Sequence, residues 1–212
     1  MPLLVQLVVL MFSVIVHEVA HGWVASLNGD NTAKAYGRIT LNPIPHIDLF
    51  GTIILPLIFL LSGSSMFIGW AKPVPINPAM FRNYKLGLIT VSLAGPLSNI
   101  FLALIGSLTL YILNSTGFVH TALGVSAYQL AFLLIFVNVF LFVLNLIPIP
   151  PLDGSKVLEN FLPYSARMFF RRFEMYGMFL VIILFFSGIF SKVFMPLISF
   201  LINIFTGGAY IQ

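Results

Sequence analysis

The sequence predicts an all-α polytopic membrane protein of about five to six membrane segments, one of them re-entrant or broken, with a short β-hairpin or strand near its reactive centre. Three observations carry that prediction. Of the 212 residues, 59% are hydrophobic and only 8% charged, where a soluble domain carries about 25% charge. Several apolar runs exceed the roughly 18 residues that mark a spanning candidate. The ten Lys and Arg lie mainly between those runs, as orientation signals do. The net charge of +4 therefore does not point to nucleic acid. No Gly/Ser-rich or charged linker and no internal repeat divides the chain. Residues 1–212 are expected to form a single domain, with a core at about 2–165 and a C-terminal helical hairpin at about 173–206. Cysteine is absent, which excludes disulfides and thiolate metal sites.

The first apolar run extends from Pro2 to near Leu27. Its start, MPLLVQLVVL, lacks the basic leader and small-residue cleavage site of a signal peptide, so it is expected to be retained. YGRITLN (36–42) alternates polar and apolar residues around β-branched Ile39 and Thr40 and reads as a short strand or hairpin. The second run, 49–68, contains Gly51, Pro56 and Ser62-Gly63-Ser64-Ser65. It can cross, or dip in and return, since non-helical backbone at membrane depth is tolerated only when buried in protein or lining a wet cavity. GWAKPVPINP (69–78) holds three prolines and cannot be helical. Runs 86–113 and 124–147 are long enough for a core of about 30 Å, whereas 175–190 and 193–206 are short and suit a hairpin. Trp23 and Trp70 would suit the interfacial belt.

HEVAH (17–21) interrupts the first run. On a helix, His17 and His21 share one face about 6 Å apart along the axis. Two imidazoles so placed can ligate one Zn²⁺ and leave Glu18 beside the open coordination position. Such a metal lowers the pKa of a water to about 7, and a neighbouring carboxylate can take the proton and pass it to a leaving amine. That is amide hydrolysis. A lone histidine in an apolar helix is more often a packed core residue. Here three ionisable groups share little more than one turn, at roughly 2.5 to 3.5 kcal/mol for a central charged residue, which favours a ligand that compensates them.

Zinc wants a third protein ligand, and the remaining candidates are His46, His120, Asp30, Asp48, Asp153, Glu159 and Glu174. Asp153 stands out in NLIPIPPLDG (145–154), where prolines 148, 150 and 151 stop the fourth run and Gly154 loosens the backbone. It equally reads as the N-cap of a helix beginning GSKVLENFL. Spacing alone leaves both roles open.

HEVAH on the first run, AGPLSN (94–99) on the third and NLIPIPPLDG after the fourth together resemble the three signatures of site-2 proteases, intramembrane zinc metalloproteases that cut transmembrane helices of other proteins. FIGWAKPVPINP (67–78) is similar to a loop of the compact branch of that family, which lacks PDZ and CBS domains. The resemblance covers roughly residues 10–165. It implies that His17, His21 and Asp153 hold one Zn²⁺ and that Glu18 is the base. It further implies that Asn145 supports the substrate or the Asp loop, and that Gly95 and Asn99 form the Gly-x-x-x-Asn pattern of the neighbouring helix. It also implies a transmembrane protein as substrate.

Bringing these ligands together constrains the topology. HEVAH lies toward the C-terminal end of the first run and Asp153 just past the C-terminal end of the fourth, so those ends must share a side. One of runs two to four must then fail to cross, and the broken 49–68 is the candidate. With 49–68 re-entrant, nine of the ten Lys and Arg fall on one side and only Lys192 on the other; full crossing gives seven to three. The positive-inside rule then places the N-terminus outside and the zinc site toward the cytoplasm. The expected location is a multi-pass position in a prokaryotic inner or plasma membrane.

Substrate would bind in extended form, because a helix hides its carbonyls. YGRITLN and KPVPINP could offer an edge for strand addition, and His46 is a candidate donor to the oxyanion. The lipid bilayer is the expected surroundings, and a homo-oligomer is compatible with the sequence. The competing function is a non-proteolytic membrane zinc-binding protein, or an inactive relative that only binds membrane helices. Glu18 discriminates, since a binding-only site needs no carboxylate between its ligands.

Overall fold

A computed structural model describes residues 1–54, 57–58, 61 and 70–208. Among the described residues the regular structure is helical: α1 (Leu3–Leu27), α2 (Thr32–Ala35), α3 (Tyr84–Ser115), α4 (Ala122–Leu146), α5 (Asp153–Glu159), α6 (Tyr164–Glu174), α7 (Gly177–Phe186) and α8 (Ile189–Thr206), with short 3₁₀ and π turns between some of them. Helices α1, α3, α4 and α8 are long and apolar enough to cross a membrane. They are predominantly apolar, and their few buried polar residues, among them His17, His21, Asn99 and Asn138, face protein. On α3, Leu97, Phe101, Leu104 and Leu108 form an exposed stripe, while Gly95, Asn99, Ala103 and Gly106 are buried. Side-chain caps start two of the spans. Asn83 accepts the Leu86 N–H at 3.1 Å and Thr121 accepts the Gly124 N–H at 3.0 Å, each meeting a backbone donor left open by the first turn.

The main core lies among α3, α4, α7 and α8, and α1 packs through Ala25 on a smaller cluster with Phe81 and Val91. Small residues let α3 and α4 approach closely, with Gly106 against the Ala131 carbonyl and the Ile135 side chain, as tight membrane packing requires. On the far side of α4, Phe185 of α7 stacks on Phe190 of α8 at 4.3 Å, and Phe190 lies 5.6 Å from Phe140 of α4.

The described ends of the second run show where the chain leaves and returns. Trp70 donates its N–H to the Gly51 carbonyl at 3.2 Å, and the Thr52 hydroxyl donates to the Trp70 carbonyl at 2.8 Å. Farther out, the Arg82 N–H bonds the Asn28 carbonyl at 2.8 Å and the Asn28 amide bonds the Thr90 hydroxyl at 3.1 Å. The C-terminal end of α1 thus meets the N-terminal end of α3, and residues 29–81 begin and finish on one side. Of the expected break in run 49–68, Pro56 and 62–65 lie outside the described residues.

One sequence expectation needs correction. YGRITLN is no strand: residues 36–41 run as turns and bends. Gly37 turns the chain with φ 64°, and the buried Arg38 folds inward to the Lys72 carbonyl at 2.7 Å, so the alternation cannot lie on a sheet. Run 175–190 yields only the ten residues of α7, about 15 Å of helix, too short to cross alone; among the described residues four helices are of spanning length. The Trp70 ring sits against Gly51.

Candidate metal centre

His17 and His21 lie one turn apart on the buried face of α1, their rings nearly perpendicular at 84° with centroids 4.6 Å apart. The two Nε2 atoms are 3.0 Å apart, and Asp153 Oδ2 lies 3.1 Å from each. The loop after α4 delivers that carboxylate. Prolines stop the helix, then Ile149 N–H turns back to the Ile147 carbonyl at 2.8 Å and Leu152 N–H to the Ile149 carbonyl at 3.0 Å. Gly154 presses on the Leu146 and Ile147 carbonyls, where a Cβ has no room. Asp153 is therefore the first residue of α5 rather than its N-cap. Leu152 occupies the cap position without a side-chain bond, and the carboxylate turns inward.

The donor set fits a divalent ion. His21 Nδ1 lies 2.6 Å from the Val91 carbonyl, which can only accept, so this nitrogen carries the proton and Nε2 presents a lone pair. His17 Nδ1 lies 2.7 Å from Asn99 Oδ1, which places its Nε2 in the same role. Two lone pairs and a carboxylate oxygen converging at 3.0–3.1 Å repel unless a cation lies among them. Three donors about 2.0–2.1 Å from one tetrahedral zinc lie roughly 3.3 Å apart. Gly95 of α3 faces the same atoms: a Cβ there would run into His21 Nε2 and His17 Nε2. Pro96 follows, removing one helical hydrogen bond at the turn that contacts His21.

Glu18 is half-buried and accepts the Val74 N–H on Oε2 at 2.7 Å. The Lys-Pro-Val-Pro loop that supplies this donor is itself held twice. Arg38 donates to the Lys72 carbonyl, and the buried Asp30 accepts the Asn77 N–H at 2.6 Å on one oxygen and Thr32 N–H at 2.9 Å on the other, with the Thr32 hydroxyl also bonded to it. Lys156 Nζ stands 3.6 Å from the outer oxygen of Asp153. Next to the triad opens a mainly apolar cavity of about 700 Å³, walled by α1, the Pro loop, α4 and α7.

Of the residues singled out in the sequence, His17, His21, Asp153, Gly95 and Asn99 meet at one point, and Glu18 and Asn145 line the adjoining cavity. Asn145 spends its amide donor on the Leu141 carbonyl at 2.9 Å. His46 does not join them. It is fully buried, absent from the cavity wall, and its Nε2 bonds the Thr40 carbonyl at 2.9 Å, so in this structure it holds its own loop and lies apart from the triad. The rival carboxylates have other work: Asp48 accepts the N–H groups of Phe50 and Gly51, and Asp30 pins the Pro loop. Sequence reading missed the Val74 N–H, the Val91 carbonyl, Asn138 and the α7 wall. Backbone groups leave no residue-type signal, but Asn138, an amide inside an apolar run, was visible.

Comparison with known proteins agrees with this geometry. The chain is 39% identical over 200 residues to YwhC of Bacillus subtilis (strain 168), whose name describes a zinc metalloprotease; the match covers 94% of this chain and 87% of that protein. It is 30% identical over 189 residues to Rip2 of Mycolicibacterium smegmatis, named likewise, covering 89% of this chain and 69% of the relative. No solved structure gives a significant match. Residues 5–188 match the pattern of peptidase family M50. On that match and these relatives, the chain belongs to peptidase family M50, the site-2 protease family.

Proposed function

We propose that this multi-pass membrane protein is a zinc endopeptidase that hydrolyses peptide bonds within or near transmembrane segments of other membrane proteins. The observation that carries the reading is the convergence of two Nε2 lone pairs and one carboxylate oxygen within 3.1 Å, beside a half-buried glutamate that opens on a cavity. His17, His21 and Asp153 would hold the ion. Zinc there would supply Lewis acidity and a water ionising near pH 7.

The protein's own groups do the rest. Glu18 takes a proton from the attacking water and returns it to the leaving amine nitrogen. Its Oε2 is fixed by the Val74 N–H, which leaves the other oxygen for that exchange. Gly95 keeps space open in front of the triad, and the Asn145 side chain on the cavity wall supports the substrate. The largely apolar walls accept a lipid-soluble segment and limit competing water.

The chain acts as one domain, with α7 lining the cavity and α8 packed behind it. Segment 49–68 is read as re-entrant, supported by the hydrogen-bonded pair Gly51 and Trp70 at its two ends. With that topology the nine-to-one distribution of Lys and Arg puts the N-terminus outside and the metal centre toward the cytoplasmic face. The test compares purified wild type and Glu18→Gln on a panel of single-span substrates in detergent. Glu18→Gln retains zinc and loses cleavage; equal cleavage by both removes Glu18 as the base.

A further inference from the structure

Behind the metal centre, three fully buried polar side chains link three membrane helices: Ser13 on α1, Asn99 on α3 and Asn138 on α4. Asn138 Nδ2 donates to the Leu134 carbonyl at 2.8 Å and to Ser13 Oγ at 2.9 Å. Asn138 Oδ1 accepts from Asn99 Nδ2 at 2.9 Å, and Asn99 Oδ1 faces His17 Nδ1 at 2.7 Å. The chain of bonds has a direction. A backbone carbonyl only accepts, so Leu134 forces the amine end of Asn138 toward itself and the oxygen toward Asn99. That oxygen requires the Asn99 amine, which turns the Asn99 oxygen to His17. The His17 ring must then protonate Nδ1 and keep Nε2 free.

We propose that Asn138 is a positioning residue for the metal centre: acting through Asn99, it sets the tautomer and orientation of His17. The inference rests on His17 being a zinc ligand. With Asn138 removed, the Asn99 amide loses what distinguishes its two orientations. In the reversed one its N–H₂ faces His17 Nδ1, which moves the imidazole proton to Nε2 and blocks the ligand atom. Partners that orient a ligating histidine are typically worth 10–100-fold in metal affinity. The Ser13 hydroxyl lies off this path. It satisfies the second Asn138 donor but carries no information to His17.

The experiment measures zinc dissociation constants by chelator competition on purified full-length protein in detergent, together with thermal unfolding of the zinc-free form. Asn138→Leu and Asn99→Leu should each weaken zinc binding about 10–100-fold, and the double variant no further, because both break one path. Asn138→Asp should stay within a few-fold of wild type. As a neutral buried acid, it donates to Leu134 and accepts from Asn99. Ser13→Ala should also bind zinc normally. If Asn138→Leu does not assemble, Asn138→Ser, too short to reach Asn99, replaces it in the comparison with Asn138→Asp. Wild-type zinc affinity in Asn138→Leu, or an equal loss in Ser13→Ala, would show the ladder to be interhelix packing and overturn the proposal. His17→Ala binding zinc as tightly as wild type would instead remove the ligand assignment beneath it.

Discussion

The backbone N–H of Val74 donates to Glu18 Oε2 at 2.7 Å, so a loop 56 residues downstream holds the carboxylate proposed as the base. A hydrogen bond to a charged group is worth about 1.5–3 kcal/mol, which is roughly 10–150-fold in rate if it acts only on the catalytic geometry. Val74→Pro removes the donor and should lower kcat by that factor with zinc content unchanged. Val74→Ala keeps the N–H and trims the side chain that packs on Gly22; it should lower thermal stability more than kcat. Steady-state cleavage of a single-span substrate distinguishes the two, and a Val74→Pro enzyme with wild-type kcat would release Glu18 from this restraint.

Gly95 gives the second prediction. Alanine adds only a methyl group and improves helix propensity by about 1 kcal/mol, so α3 has no local reason to fail. Yet the added carbon would meet the Nε2 atoms of His17 and His21, which are pinned from behind by Asn99 and Val91. Gly95→Ala should therefore fold, lose stoichiometric zinc and lose cleavage together. Metal analysis of the purified variant checks this, and full zinc occupancy would mean the ligand cluster lies farther from α3.

The third prediction concerns pH. Burial alone pushes the Asp30 carboxyl up, but bonds from the Thr32 hydroxyl and from the N–H groups of Asn77 and Thr32 outweigh it and hold the pKa below its ordinary value of 3.8. A carboxylate with a depressed folded pKa stabilises the fold above the unfolded pKa, and that stabilisation fades as pH falls through the folded value. The wild type should lose this contribution only below about pH 4, as the Pro loop comes free. Asp30→Asn should be less stable at neutral pH by about 1–3 kcal/mol, with a flatter acid limb. Thermal unfolding of both proteins between pH 3 and 7 would show it; parallel curves would mean Asp30 does not pin the loop.

Much of the centre was legible because it is written in residue types that are out of place in lipid. His17, Glu18 and His21 announce themselves by spacing, and Asp153 by the prolines and glycine around it. Requiring their meeting led to the proposed topology, and the backbone bond between Trp70 and Gly51 brings the two ends of the second run together. What escaped notice was tertiary. Whether Asp153 capped a helix or faced the histidines depended on how the loop refolds over Leu146. Alternation in YGRITLN suggested a strand, but Arg38 found carbonyl partners inside and turned the chain. His46 looked available until its ring was seen bonded to the Thr40 carbonyl. Helix α7 carried no motif, so nothing in its apolar composition distinguished a cavity wall from a lipid-facing turn.

That wall supplies the last prediction. Met178, Val181, Ile182 and Phe185 line the cavity, at positions that put them on one face of α7, while Phe179, Ile183 and Phe186 are exposed on the other. If the cavity of about 700 Å³ receives the extended substrate, bulk added on the inner face must exclude it, and displacement of a bound segment by 1 Å can cost on the order of 100-fold in rate. Val181→Trp should cut kcat/KM by about tenfold or more with zinc affinity at the wild-type value, because the triad's side chains come from α1 and α5. Ile183→Trp, on the outer face, serves as the control and should cleave normally. Loss of activity in both variants would point to disturbed packing of α7 on α8, whereas normal cleavage by Val181→Trp would place the substrate path elsewhere, between α1 and the Pro loop.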